Sequence, residues 1–216
     1  MKKFKRSNPL SLAVLVLLYE RPMHPYEMAA TLRERGKEQS IKLNYGSLYT
    51  VIELLLQAEF IRVQETVKDG RRPEKTIYGL TAAGEFEMSE WLRILIGTPV
   101  KEYHQFEAGL SLLPALPLEE AIPLLENRAK CLKEKLEGLK KEALHCRQMK
   151  LPRLFSIESE YQQALTLAEC RYVEGLIKAI RNDEDGLKRT WQEIREVLSK
   201  PVPSPKKNKP LKRGEK

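Results

Sequence analysis

Residues Leu43–Thr81 read LNYGSLYTVIELLLQAEFIRVQETVKDGRRPEKTIYGLT, and this stretch decides the fold. Asn44 is a favourable N-cap. Leu48, Val51, Ile52 and Leu55 then follow the i, i+3, i+4, i+7 spacing of a buried helix face, with Leu56 flanking. At about 100° per residue, Gly46, Thr50, Glu53 and Gln57 point the other way, and Ser47 and Tyr49 lie on the borders. Gly46 in a first turn lowers helix propensity but lets something approach the backbone closely. Phe60–Val67 partly alternates apolar and polar, Thr76–Leu80 is a second β-like run, and Asp69-Gly70 between them is a turn signal. The connecting loop also carries Arg71, Arg72 and Lys75. A hairpin needs only a turn, so this clump of cations points to a second task.

Working outward, Leu10 to Tyr19 is apolar almost all round and predicts a buried helix that Pro22 ends. HPYEMAATLRERG predicts a second helix. His24 is at its cap, Pro25 at its first position, Glu27 in its first turn and Gly36 at its exit. Met28, Ala29 and Leu32 share its inner face. After the hairpin, Thr81 caps a fourth helix through about Leu95, with Phe86, Met88, Trp91, Leu92 and Leu95 apolar; Gly84 stands three residues on, where an acidic residue would complete the cap. Thr98-Pro99 marks a boundary.

Beyond it no strand-like run occurs. FEAGLSLLPALP predicts a short helix closed by Pro114 and Pro117. Leu118–Met149 predicts a long one with Leu125, Ala129, Leu132, Leu136 and Leu139 near a heptad seam. After Pro152 comes another, with a stripe of Tyr161, Leu165, Ala168, Tyr172, Leu176 and Ile180. A last short helix surrounds Trp191. Long amphipathic helices with no other core to cover pair across a two-fold axis. The expected domains are therefore 1–98, 99–199 for dimerisation, and a disordered basic tail at 200–216 with four prolines and seven cations.

The 216 residues are 42% hydrophobic and 31% charged, the balance of a soluble, core-forming chain. The longest strongly apolar run, Leu10–Leu18, is too short for a bilayer, which takes about 20 residues. It lacks the small-residue cleavage site of a signal peptide, so a cytoplasmic protein is expected. Net charge is +8. Residues 1–98 hold 15 Lys/Arg against 12 Asp/Glu, residues 99–199 hold 16 against 17, and residues 200–216 hold 7 against 1. The body is nearly neutral, so local clusters and not bulk charge must carry any nucleic-acid reading. Cys131, Cys146 and Cys170 form no CxxC pair and read as reduced thiols, with a redox sensor as the alternative. His24, His104 and His145 have no metal-ligand spacing. No Gly-rich phosphate loop, GxSxG or HExxH occurs, so neither an enzyme nor a cofactor is expected.

Three helices followed by a two-strand hairpin is the winged helix-turn-helix order. In it the third helix enters the major groove, and the hairpin loop reaches flanking phosphates or the minor groove of double-stranded DNA. The fold class is thus mostly α: an N-terminal winged helix and a helical second half. HPYEM, GSLYTVIELLLQAEFI, the basic wing and YGLTAAG together resemble the PadR family of transcriptional regulators. HQFEAGLSLLPALPLEEAIPLLENR and SIESEYQQALTLAECRYVEGLI resemble the helical C-terminal half of its longer subfamily, known also from virulence-gene activators. The resemblance spans roughly residues 8–182.

It implies a homodimeric regulator, usually a repressor, whose C-terminal helices dimerise and which often answers to a small aromatic or hydrophobic effector. The family's helix-start segment falls on Tyr45, Gly46, Ser47, Tyr49 and Thr50, preceded by Lys42. Its wing cations fall on Arg71, Arg72 and Lys75. Tyr45 stands where the family often has Pro or Ser. Tyr49 either hydrogen-bonds a phosphate or packs on the second helix. Glu53 reads as a solvated charge. Trp91 is either core packing or a wall of an effector pocket. Two other function classes fit the same order of elements: a winged-helix protein-interaction adaptor, and a small-molecule sensor that does not act through DNA.

Overall fold

The computed structural model describes residues 4–67 and 75–199. They form two compact units that divide between Glu102 and Tyr103.

In the first unit, helix α1 (Pro9–Glu20) is capped by the Asn8 side chain, which accepts from the Leu10 N–H at 3.0 Å. Its sides are buried nearly all round, as its composition requires: Leu10, Leu12, Val14, Leu15, Leu17 and Leu18 all enter the core. Helix α2 (Pro25–Glu34) starts on His24, whose Nδ1 accepts from the Tyr26 N–H at 3.1 Å. It is followed by Gly36 in the left-handed region at φ 66°, where a side chain is strained. Helix α3 (Tyr45–Gln57) starts on Asn44, whose side-chain oxygen accepts from the Ser47 N–H at 2.7 Å. Its inner row is Leu48, Val51, Ile52 and Leu55, as the spacing predicts.

The wing follows. Strand β1 (Ile61–Val67) pairs antiparallel with β2 (Lys75–Leu80), Ile61 facing Leu80 and Val63 facing Tyr78, with the register shifting between Val63 and Glu65. Met23 adds a bridge: it exchanges two backbone hydrogen bonds with Tyr78, at 3.1 and 3.0 Å. The wing's root is thereby tied to the residue next to the α2 cap.

Helix α4 (Ala82–Gly97) starts on Thr81, whose hydroxyl accepts from the Gly84 N–H at 3.0 Å. Gly84 is not an omitted acid but a contact point. A Cβ there would lie 2.0 Å from the Phe60 carbonyl oxygen and 2.9 Å from Leu80 Cδ1. Of the apolar residues on α4, Met88 and Trp91 enter the core and Phe86 stays exposed. Trp91 is 2% exposed and meets Phe4 edge-on at 5.9 Å, and Phe4 in turn meets Phe60 at 5.2 Å.

The second unit contains α5 (Gln105–Ser111), α6 (Leu118–Gln148), α7 (Ile157–Arg181) and α8 (Leu187–Ser199). Helices α6 and α7 pack along their length. Lys133–Glu174 at 2.5 Å, Arg128–Glu169 with Nε donating at 2.7 Å, and Arg181–Glu126 flank the seam. The α6 stripe is as the sequence predicts: Leu125, Ala129, Leu136 and Leu139 are buried and Leu132 is partly buried.

The α7 stripe is not. Thr166, Cys170, Val173, Ile177 and Ile180 face inward, while Tyr161, Leu165 and Tyr172 are 65%, 51% and 55% exposed. Of the expected row only Ile180 is buried, and Leu176 is partly so. Trp191 anchors α8, its Nε1 donating to the Leu116 carbonyl at 3.0 Å. Among the described residues no helix is long and apolar enough to cross a membrane.

Candidate nucleic-acid interface

The inner row of α3 commits that helix to the core, and its other side is left to solvent. Tyr45, Gly46, Tyr49, Thr50, Glu53 and Gln57 are exposed there, and Ser47 is half-buried. The fold uses few of their polar atoms. Thr50 Oγ1 donates to the Gly46 carbonyl at 3.0 Å within the helix. The Asn44 side chain is spent on its cap. Around Gly46 the one atom among the described residues near a would-be Cβ, outside the helix's own backbone, is Asn44 Oδ1 at 3.6 Å, so the backbone is open to close approach. A surface of small residues in the first two turns of an exposed helix is what a major-groove reader presents.

Tyr45 is not free in the same way. Its hydroxyl accepts from Arg33 Nη1 at 3.0 Å, the Arg33 guanidinium lies 5.0 Å over its ring, and its other neighbour is the Tyr26 ring, stacked at 6.2 Å. Tyr49 sits on the side facing the wing. It and Glu53 both act on Tyr78 of β2, whose hydroxyl is held above the usual tyrosine range, first by burial and then by these two neighbours.

The cations divide into two groups. Arg21 pairs with Glu27 at 2.5 Å, Arg33 with Glu38 at 3.1 Å, and Arg35 with Glu20 at 2.5 Å. Those pairs are exposed and weak in stability terms, but they cancel local charge. Lys42, Arg62 and Lys75 are exposed and make no ion pair among the described residues. Lys42 precedes the cap of α3, Arg62 lies on β1, and Lys75 opens β2. Lys75 is also close enough to His24 to push its pKa down, second to burial and against the pull of Glu27.

Arg71 and Arg72 lie outside the described residues, as does the 200–216 tail. Sequence reasoning did not single out Arg62, Tyr26 or Arg33. The β1 alternation puts Arg62 on an exposed position and was a usable signal. Nothing in the local sequence tells that Tyr26 and Arg33 meet Tyr45, because that depends on how α2 and α3 cross.

Trp91 is sealed in the first core. The described residues of the second unit line hollows, among them these two. One, of about 460 Å³, is lined by Cys146, Arg147, Arg153 and Glu160 among others. The other, of about 550 Å³, is lined by Phe106, Leu110, Arg128, Leu165 and Tyr172 among others. Trp91 lines neither.

Residues 14–90 match the sequence profile of the transcriptional regulator PadR-like family. No curated protein matches the chain. Several solved structures share the fold. Bacillus subtilis PadR in complex with operator DNA superposes with a TM-score of 0.63 at 20% identity, over 80% of this chain and 99% of that one. The same protein in complex with p-coumaric acid gives 0.59 at 18% identity, over 80% and 95%. The PadR-like transcriptional regulator BC1756 from Bacillus cereus gives 0.55 at 15% identity, over 81% and 99%.

Proposed function

We propose that this chain, whose residues 14–90 match the PadR-like family of transcriptional regulators, is a member of that family and a homodimeric repressor that binds an inverted-repeat operator. The carrying observation is the outer side of α3. The helix is capped and buried on one side, and its other side leaves Gly46 and Thr50 exposed and Ser47 half-buried; exposed Lys42 precedes its cap, Arg62 lies on β1 and Lys75 opens β2, none of them in an ion pair among the described residues. Small side chains admit base edges, and the lysines and Arg62 meet phosphates.

In this reading Arg71 and Arg72 of the wing take flanking phosphates or the minor groove, and the 200–216 tail adds salt-sensitive, non-specific affinity. Residues 99–199 form the dimerisation domain, and the exposed Tyr161, Leu165 and Tyr172 are its contact with the second copy. Each protomer then occupies one half-site, about one helical turn from the other. A small aromatic or hydrophobic effector is part of the same reading, by analogy with Bacillus subtilis PadR, which has been crystallised with p-coumaric acid.

The test is retention of genomic fragments at physiological salt, followed by sequencing. A few sites sharing a two-fold-symmetric motif, lost with Arg71→Ala/Arg72→Ala, support the reading. Uniform recovery with no motif refutes sequence-specific binding and leaves the protein-adaptor reading.

A further inference from the structure

Tyr26 is the second residue of α2 and is 65% exposed. An aromatic ring so placed loses little by moving, yet this one is held. It stacks on the Tyr45 ring with centroids 6.2 Å apart and planes 13° from parallel. Tyr45 is held from its other side by Arg33, through the hydrogen bond to its hydroxyl and the guanidinium over its ring. Arg33 is fixed in turn by Glu38 at 3.1 Å. Tyr26, Ala30 and Arg33 fall at i, i+4 and i+7, one face of α2, and the Tyr45 ring lies along that face.

Tyr45 is the first residue of α3 and is joined directly to Gly46. The chain from Glu38 through Arg33, Tyr45 and Tyr26 thus ends one ring away from the open backbone of the reading helix. Its terminal group, the Tyr26 hydroxyl, has no hydrogen-bond partner among the described residues. The Tyr45 hydroxyl accepts from Arg33, and the Arg33 charge is offset by Glu38.

We infer that Tyr26 is a DNA-contact residue. Its hydroxyl donates to a backbone phosphate beside the half-site, and Tyr45 and Arg33 are positioning residues that hold its ring. This rests on the DNA-binding reading above. A neutral hydroxyl on a phosphate adds affinity and fixes register, carries no base information, and releases no counterion.

The test uses the full-length chain and a duplex that it selects from a randomised library. Affinity is measured across a salt series, and the melting temperature is followed in parallel. Tyr26→Phe is expected to weaken binding by about tenfold or more, the size of a hydrogen bond to a charged acceptor, at every salt concentration and with an unchanged salt slope. Tyr45→Ala removes the ring that holds Tyr26 and is expected to match the Tyr26→Phe loss with an unchanged melting temperature.

Arg71→Ala/Arg72→Ala serves as the reference, with the salt slope falling by about 2. If that variant behaves so while Tyr26→Phe binds like wild type, the DNA reading stands and this inference is wrong. A silent Tyr45→Ala beside a weakened Tyr26→Phe removes the positioning role alone. If no duplex is selected at all, both readings fall together.

Discussion

Replacing Gly84 with alanine is a small change with a large expected cost. The backbone at Gly84 is ordinary helix, so alanine suits its conformation, and on propensity alone the substitution gains about 1 kcal/mol. Contact reverses the sign. The new Cβ would stand 2.0 Å from the Phe60 carbonyl oxygen, more than 1 Å inside ordinary carbon–oxygen contact of about 3.3 Å. That oxygen is main chain and cannot rotate away.

Relief requires the first turn of α4 to move off the start of the wing. The same movement stretches the Thr81 N–H bond to Phe60 O at 3.0 Å and the Thr81 hydroxyl contacts with Glu59 O at 2.8 Å and Phe60 O at 3.0 Å. Overpacking costs about 1–3 kcal/mol, and each weakened hydrogen bond about 1 kcal/mol. With the one Thr81 hydroxyl counted as a single shared bond, a net loss of about 2–4 kcal/mol is expected after the propensity gain. For a unit of this size that lowers the melting midpoint by roughly 10–20 °C.

Trp91 fluorescence in a Trp191→Phe background reads the first unit by itself, since the chain has two tryptophans and each lies in a different core. Gly46→Ala is the internal contrast. Its Cβ meets only Asn44 Oδ1 at 3.6 Å, so its stability should hold or rise while DNA retention falls. A Gly84→Ala midpoint at or above wild type would refute the contact argument outright.

Two further outcomes follow from the caps. Asn44→Ala should cost about 1 kcal/mol by removing the acceptor for the Ser47 N–H, whereas Asn44→Asp should keep stability yet weaken DNA retention by setting a carboxylate before the phosphates; urea midpoints and retention assays separate the two. His24 caps α2 as a neutral acceptor, and burial, then Lys75, hold its pKa below the ordinary value of about 6.5. The unfolded chain therefore takes up the proton first, so the cap's contribution is complete above the unfolded pKa and is lost as pH falls through the folded one. Melting midpoints between pH 5 and 8 should slope less in His24→Asn than in wild type, and equal slopes would dismiss the histidine.

Much of the winged helix was legible because its signals are local. Asn44, Thr81 and His24 act on backbone groups two or three residues away, Pro25 acts through its own fixed φ, and the inner row of α3 depends only on the helical period. What was not legible depends on contacts between elements distant in sequence. Gly84 looked like a missing capping acid, although Phe60 dictates it from across the wing. Tyr45 reads from the sequence only as part of the helix-start segment; that Arg33 and Tyr26 lie against it depends on how α2 crosses α3. Periodicity also cannot say whether Trp91 faces a core or a cavity, since both demand an apolar side chain, and the Phe4 arm that covers it comes from the other end of the unit.

Helix α7 shows why a correct period can still select the wrong face. Tyr161, Leu165, Ala168 and Tyr172 repeat at spacings of four, three and four. So do Thr166, Cys170, Val173 and Ile177, set five residues later and so rotated by about 140°. The buried row is the more aliphatic of the two, with Cys170, Val173 and Ile177 against two tyrosines, and its one polar member, Thr166, can join it because its hydroxyl donates to the Gln162 carbonyl at 2.7 Å and leaves no unmet polar group. A helix with two such rows has two apolar faces, and α6 covers only one. Leu165→Glu together with Tyr172→Glu should therefore leave the α6–α7 seam and its thermal midpoint intact while turning a dimer into a monomer in sedimentation. Val173→Asp, which places a charge in the seam itself, should unfold the second unit instead. If the exposed pair changes the midpoint and not the mass, that row is not the surface between copies, and the two-fold reading must find another face.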